Sequence, residues 1–183
     1  MKNKKIILSI CFFTSICINC FSQTFTLKSK DVGGQFTNEF MANSFGCNGA
    51  NKSPELSWTF APPDAKSFAV TMFDADAPTG SGWWHWIVFN IPTSVNELKQ
   101  DAGNLSANLL PPGSVQGITD FGTAGYGGPC PPINDKPHAY IITVYALKIP
   151  QLAIDKTATP ALTRFLINQN TIAKASIIIY SSR

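Results

Sequence analysis

Trp86-Ile-Val-Phe-Asn-Ile91 is a nearly continuous apolar run. Such a run, with no period-two alternation, describes a central strand buried on both faces. Phe68-Ala-Val-Thr-Met-Phe73 and Tyr140-Ile-Ile-Thr-Val-Tyr-Ala-Leu147 also read as strands. Leu56-Ser-Trp-Thr-Phe60 alternates up to the stop at Pro62-Pro63, and Ser176-Ile-Ile-Ile-Tyr180 forms a last short strand. One segment has helical spacing. Pro160 suits a first helical position with Thr159 as its cap, and Leu162, Phe165, Leu166 and Gln169 recur at three and four. That spacing predicts a helix over about 160–173. Asp31–Pro54 and Gln100–Pro137 are long irregular stretches, which inside a compact domain are usually functional. The fold expected is mainly β: an antiparallel β-sandwich with one clear helix near the C-terminus and functional loops at one end.

The first residues belong to a different kind of segment. Met1-Lys-Asn-Lys-Lys5 is a positive n-region, Ile6–Ile18 a short apolar core, and Phe21-Ser22-Gln23 offers a cleavage point. About 20 apolar residues are needed to span a bilayer, so 1–23 reads as a secretory signal peptide and 24–183 as one domain. A lipoprotein acylated at Cys20 is the lesser alternative, because Asn19 fits poorly before such a cysteine. The expected location is secreted or periplasmic, with no transmembrane segment once the leader is gone. Of 14 Lys+Arg, the leader holds Lys2, Lys4 and Lys5, which leaves 11 against 11 Asp+Glu. A formally neutral domain argues against a nucleic-acid partner. Outside the leader only Cys47 and Cys130 remain. In an exported protein two cysteines most simply form one disulfide. It would close about 80 residues and contribute ~4 kcal/mol by chain entropy. Two buried thiols are the alternative.

Both histidines lie in stretches rich in aromatics, glycine and proline. Asp74-Ala-Asp-Ala-Pro78 is followed by Gly82-Trp-Trp-His-Trp86, and Gly125-Tyr-Gly-Gly-Pro-Cys-Pro-Pro132 by His138-Ala-Tyr140. Apolar walls with few convergent polar groups define a ligand pocket. Asp74 and Asp76 end a strand one residue apart; one is expected to cap the turn and the other to face the pocket. Alternation puts Trp84 and Trp86 on one face of their strand and His85 on the other. His138 and Tyr140 share a face at the start of the second strand. Gly125, Gly127 and Gly128 can bring backbone N–H groups to an anion, and Pro129, Pro131 and Pro132 stiffen the loop.

Other chemistries fit less well. A Cys130–His138 nucleophile pair is excluded if the disulfide forms. Asp74, Asp76, His85 and His138 have zinc-ligand chemistry without any of the usual spacings. No Gly-x-Ser-x-Gly is present. No metal, cofactor or catalytic residue is therefore assigned.

At these residues the chain resembles the phosphatidylethanolamine-binding protein family, also called the Raf kinase inhibitor family, and in particular its small bacterial YbhB/YbcL-like branch. The likeness runs from about Phe25 to Tyr180 and is strongest in Ser53–Trp58, Ser67–Pro78, Gly82–Pro92 and Phe121–Leu147. The resemblance implies a β-sandwich with a small anion pocket at one end, lined by Asp74, His85, His138 and Tyr140, with Gly128 and Pro129 in the loop that closes it. With Asp76 and Trp84 these make the expected ligand-binding set. Phosphate-like or carboxylate anions, phospholipid head groups or phosphorylated groups are the implied ligands. The chain departs from the family pattern at Ala75, where proline is usual, and at Ala139, where arginine is usual. A looser turn is expected from the first. By alternation Ala139 points away from the pocket, so the missing arginine bears on the scaffold.

The expectation is a non-enzymatic binding or regulatory protein. It would work alone, with a protein partner, or as a homodimer, which the resemblance admits. Binding should strengthen below about pH 6.5, where a free histidine charges. Two other classes stay open: a hydrolase or phosphotransferase using His85 and His138 with Asp74, and an inhibitor of a secreted enzyme acting through surface loops.

Overall fold

The computed structural model describes residues 23–183. The expected leader up to residue 22, with the Cys20 alternative, lies outside the described residues. Among the described residues eight strands form two antiparallel sheets, and one α-helix accompanies them. The smaller sheet has the order β1 (Thr26–Lys28), β2 (Leu56–Thr59), β5 (Glu97–Leu98). The larger runs β6 (Val115–Gln116), β4 (Trp83–Ile91), β3 (Ser67–Asp74), β7 (His138–Leu147), β8 (Thr171–Ser181).

The two faces of the large sheet explain the apolar runs. Val70, Met72, Trp86, Val88, Ile142 and Val144 point inward and meet Leu27, Leu56 and Trp58 of the small sheet. Ala69, Ile87, Phe89, Tyr145 and Leu147 point the other way and pack under Ile167 of the helix α1 (Pro160–Asn170). Strands β3, β4 and β7 are thus covered twice, and alternation disappears from their sequences. Burying a Trp86-sized side chain stabilises such a core by roughly 3–5 kcal/mol, judged by truncation to alanine.

Several boundaries differ from the sequence expectation. Helix α1 starts as expected, with Pro160 at its first turn and Thr159 Oγ1 accepting from Leu162 N–H. It ends at Asn170, short of 173, because the β-branched Thr171-Ile172 pair enters the sheet and Lys148 N–H donates to Asn170 O. Its buried stripe is Thr163 and Ile167, with Leu166 partly covered, while Leu162 and Phe165 are exposed. Strand β8 begins directly after the helix and is more than twice the expected length. Its early residues alternate half-buried and exposed, so they make an edge strand without a strong apolar signature.

Strand β4 carries the irregularity that matters for function. Met72 pairs with Trp86 but Phe73 pairs with Trp84, so His85 is an extra residue between them, a β-bulge. Trp84 and Trp86 therefore do not share a face, contrary to simple alternation. Trp86 lies in the inner core against Tyr126, at 5.8 Å between ring centroids. Trp84 lies on the outer side against Phe73, with the Arg164 guanidinium 5.0 Å from its centroid.

Candidate functional site

The bulge turns His85 into a cavity of about 210 Å³ at the end of the large sheet. Asp74 arrives there from the end of β3, and His138 and Tyr140 from the first turn of pairing in β7. The two long irregular stretches supply the walls: Phe45 from the first, Phe121 and Cys130–Pro132 from the second. Trp83 completes an aromatic side, edge-on to Phe121 at 5.4 Å. His85 sits edge-on to both Phe121 and Tyr140, at 5.3 and 5.1 Å.

The two imidazoles and the acids around them have defined partners. His138 Nδ1 lies 2.8 Å from Asp74 Oδ2, and its Nε2 lies 3.3 Å from Asp135 Oδ2. His85 Nδ1 lies 2.8 Å from Gly127 O. Asp74 Oδ1 accepts from Asp76 N–H at 2.9 Å, so this one carboxylate caps its own turn and also holds a ligand-facing imidazole. Asp76 is the structural acid. Its oxygens accept from Lys136 Nζ and from Ala139 N–H, and it does not enter the cavity. Ala75 N–H also donates to Ala139 O. Ala139 thus meets the acidic turn through its backbone, on the side away from the cavity, by a bond that a proline at 75, having no N–H, could not donate.

Two other expected contacts are placed differently. Trp84 is outside the cavity, because the bulge reverses its face. Pro129 is buried beside it and is also not in the wall; its carbonyl accepts from Ala42 N–H at 3.0 Å. Gly128 does line the cavity, but its N–H donates to Asn51 Oδ1 at 2.7 Å, and Gly127 N–H donates to His85 O at 2.9 Å. These two amides are spent on the scaffold and do not present an anion cradle. Gly128 is needed for closeness: a Cβ there would lie 2.4 Å from Phe40 O. Sequence reasoning missed Phe45, Trp83, Phe121 and Asp135. Only Trp83 stood inside a quoted motif, and Asp135 was discoverable as the acid three residues before His138.

Cys47 and Cys130 form the expected disulfide, which joins the two long loops at the cavity wall. Arg183 Nη1 lies 3.3 Å from both sulfurs. A Cys130–His138 nucleophile pair is thereby removed. The zinc set also separates, since Asp76 faces Lys136. Among the described residues no cluster of three His, Cys, Asp or Glu could hold a metal, and no helix is long and apolar enough to cross a membrane.

The two imidazoles are set in opposite directions. Burial pulls the His85 pKa below its ordinary value, although the Gly127 carbonyl and Asp74 oppose this. Burial also acts to lower His138, but hydrogen bonds to Asp74 and Asp135 outweigh it and raise its pKa. Burial, with the nearby Asp74 charge, pushes Tyr140 far up, so its hydroxyl keeps its proton. Linkage then gives opposite signs. His138 contributes stability below the unfolded value of 6.5, lost as pH rises through its raised pKa. His85 contributes above 6.5, lost as pH falls toward its lowered pKa. Chemical denaturation across pH should show a stability maximum near 6.5 from this pair. A monotonic rise from mildly acidic to mildly alkaline pH would contradict the assignment of His138.

The profile of the phosphatidylethanolamine-binding protein family matches residues 31–182. The chain belongs to that family. The UPF0098 protein YbcL of Escherichia coli is 49% identical over 155 residues, covering 84% of this chain and 85% of YbcL. YbhB of the same organism is 42% identical over 153 residues, covering 82% and 96%. The crystal structure of YbcL, described as a new member of the mammalian PEBP family, aligns with a TM-score of 0.84 at 47% identity. That alignment covers 87% of this chain and 98% of YbcL. A homologue from Chlamydia trachomatis aligns with a TM-score of 0.71 at 28% identity, covering 87% and 97%.

Proposed function

We propose that this chain is an exported, non-enzymatic binding protein whose cavity takes a small phosphate-like or carboxylate oxyanion, free or at the end of a larger ligand. One observation carries the reading. Two buried imidazoles and a tyrosine hydroxyl converge on one aromatic-walled cavity, and His138, held toward its charged form, offsets the carboxylates that would otherwise repel an anion. Membership of a family described by phosphatidylethanolamine binding supports a ligand with a phosphoryl group. Export rests on the leader-like residues 1–23.

The geometry gives less to catalysis. A hydrolase would need a nucleophile beside a free base. Here the sulfur in the cavity wall is bonded to its partner, and the Thr79 hydroxyl that also lines the cavity donates to Gly82 O, so His85 has no nucleophile to activate.

Nuclear magnetic resonance titration with inorganic phosphate and with phosphorylethanolamine tests the reading. Both histidine rings should show saturable shifts, and a His85→Ala variant should lose them or need at least about tenfold more ligand. Rings that ignore both ligands would refute the oxyanion pocket and move attention to the surface loops.

A further inference from the structure

We propose that the cavity selects oxyanions carrying an O–H of their own, a phosphoryl group with a proton still on it, over sulfate or a phosphodiester. This rests on the oxyanion reading above and narrows the ligand class within it.

The argument begins at Gly127 O. A carbonyl oxygen only accepts, so the 2.8 Å contact requires the hydrogen of His85 to sit on Nδ1. In the neutral ring Nε2 is then a lone pair. Among the described residues it has no hydrogen-bond partner, and it is not one of the atoms sealed from solvent. It is therefore the open corner of a ring that lines the cavity.

The surrounding groups have little to offer an anion. The charged or titratable groups facing His85 are Asp74 from β3, His138 and Tyr140 from β7, and Asp120 from the loop before Phe121. The Asp74 carboxylate already holds His138. Both His138 nitrogens face carboxylates, so neither is a spare donor. Asp120 accepts from Trp84 N–H, and Lys136 is paired with Asp76. The Gly127 and Gly128 amides are committed. The Tyr140 hydroxyl remains as a side-chain donor at the floor, where a ligand oxygen would compete with the neighbouring Asp74 carboxylate for its hydrogen. A bare oxyanion would set its lone pairs against those of His85 and Asp74. An oxyanion with an O–H donates that hydrogen to Nε2 and accepts from Tyr140. Protonating the ring instead would place a charge where burial opposes one.

Phosphate and sulfate make this testable, because they match in size and in charge as dianions but only hydrogen phosphate has an O–H. A phosphate monoester keeps its O–H below a second pKa of about 6 and loses it above. A diester has none. We would titrate the protein with inorganic phosphate, sulfate, methyl phosphate and dimethyl phosphate at about pH 5.5 and about pH 7.5, reading calorimetry and ring-nitrogen NMR. Inorganic phosphate should bind at both pH values. Sulfate and dimethyl phosphate should bind about ten- to a hundredfold more weakly, the cost of an unsatisfied buried group. Methyl phosphate should lose about tenfold on going to the higher pH. The free protein should show a neutral His85 ring protonated on Nδ1. Sulfate binding as tightly as phosphate, or a ring protonated on Nε2, would overturn the selectivity while leaving the oxyanion pocket standing. If none of the four probes moves the rings, the pocket reading itself has failed.

Discussion

Asp74→Asn should cost about 3–5 kcal/mol at mildly acidic pH and far less at mildly alkaline pH. Asp74 and His138 are both buried, with 4% and 1% of their side chains exposed, so their 2.8 Å contact is poorly screened. Below its raised pKa the His138 imidazole is charged and faces the Asp74 carboxylate. The amide leaves the imidazolium facing a neutral oxygen, and Asp135, 40% exposed, is a weak substitute. Above its raised pKa, His138 is neutral in either protein, and the asparagine oxygen can still accept from Nδ1–H. The single asparagine oxygen cannot also accept from Asp76 N–H, so the turn loses that bond at every pH, a cost of about 1 kcal/mol common to both conditions.

Two readings separate this from generic damage. First, the His138 pKa should drop, because burial is then opposed by Asp135 alone. Second, the decline of stability above 6.5 should vanish, leaving stability that rises with pH. Urea melts at two pH values and a histidine titration suffice. An equal loss at both pH values, with the His138 titration unmoved, would show that the pair matters only as packing.

The difference between what sequence predicted and what folding added follows from range. Strands β3, β4 and β7 were readable because a doubly covered strand has an apolar residue at almost every position, a local property. The convergence of Asp74, His138 and Tyr140 was readable because strand ends and period-two alternation are also local. The bulge at His85 was not. It comes from the register of β4 against β3, and nothing in Trp83-Trp-His-Trp86 announces it. That one extra residue removed Trp84 from the cavity and aimed His85 into it. The glycine-loop amides were misjudged for a similar reason. Their acceptors, Asn51 Oδ1 and His85 O, lie 77 and 42 residues away in sequence. Phe45 and Phe121 gave no signal at all, since a lone aromatic in an irregular stretch looks the same whether it faces a cavity or solvent.

Replacing Cys47 and Cys130 together by alanine should lower stability by about 4–5 kcal/mol, a fall in Tm on the order of 10–15 °C. The bridge spans 83 residues, nearly half the chain, so its loss releases a large closed loop in the unfolded state. The effect on the site should be graded. Ala42 N–H still meets Pro129 O, and Asn51 still holds Gly128 N–H, so the floor keeps two ties that do not involve sulfur. His138 should therefore keep its raised pKa. The outer wall has less. Phe45 is 72% exposed and stands in the left-handed region at φ 52°, two residues from Cys47. Its carbonyl is held by Arg183, whose guanidinium also rests on the two sulfurs. Without the bridge that corner should open, and inorganic phosphate should bind more weakly while both imidazoles titrate as before. A Tm within about 3 °C of wild type would mean that the unfolded chain gains little freedom from losing the bridge. A His138 pKa that fell with the disulfide would mean that the floor and the wall are one cooperative unit.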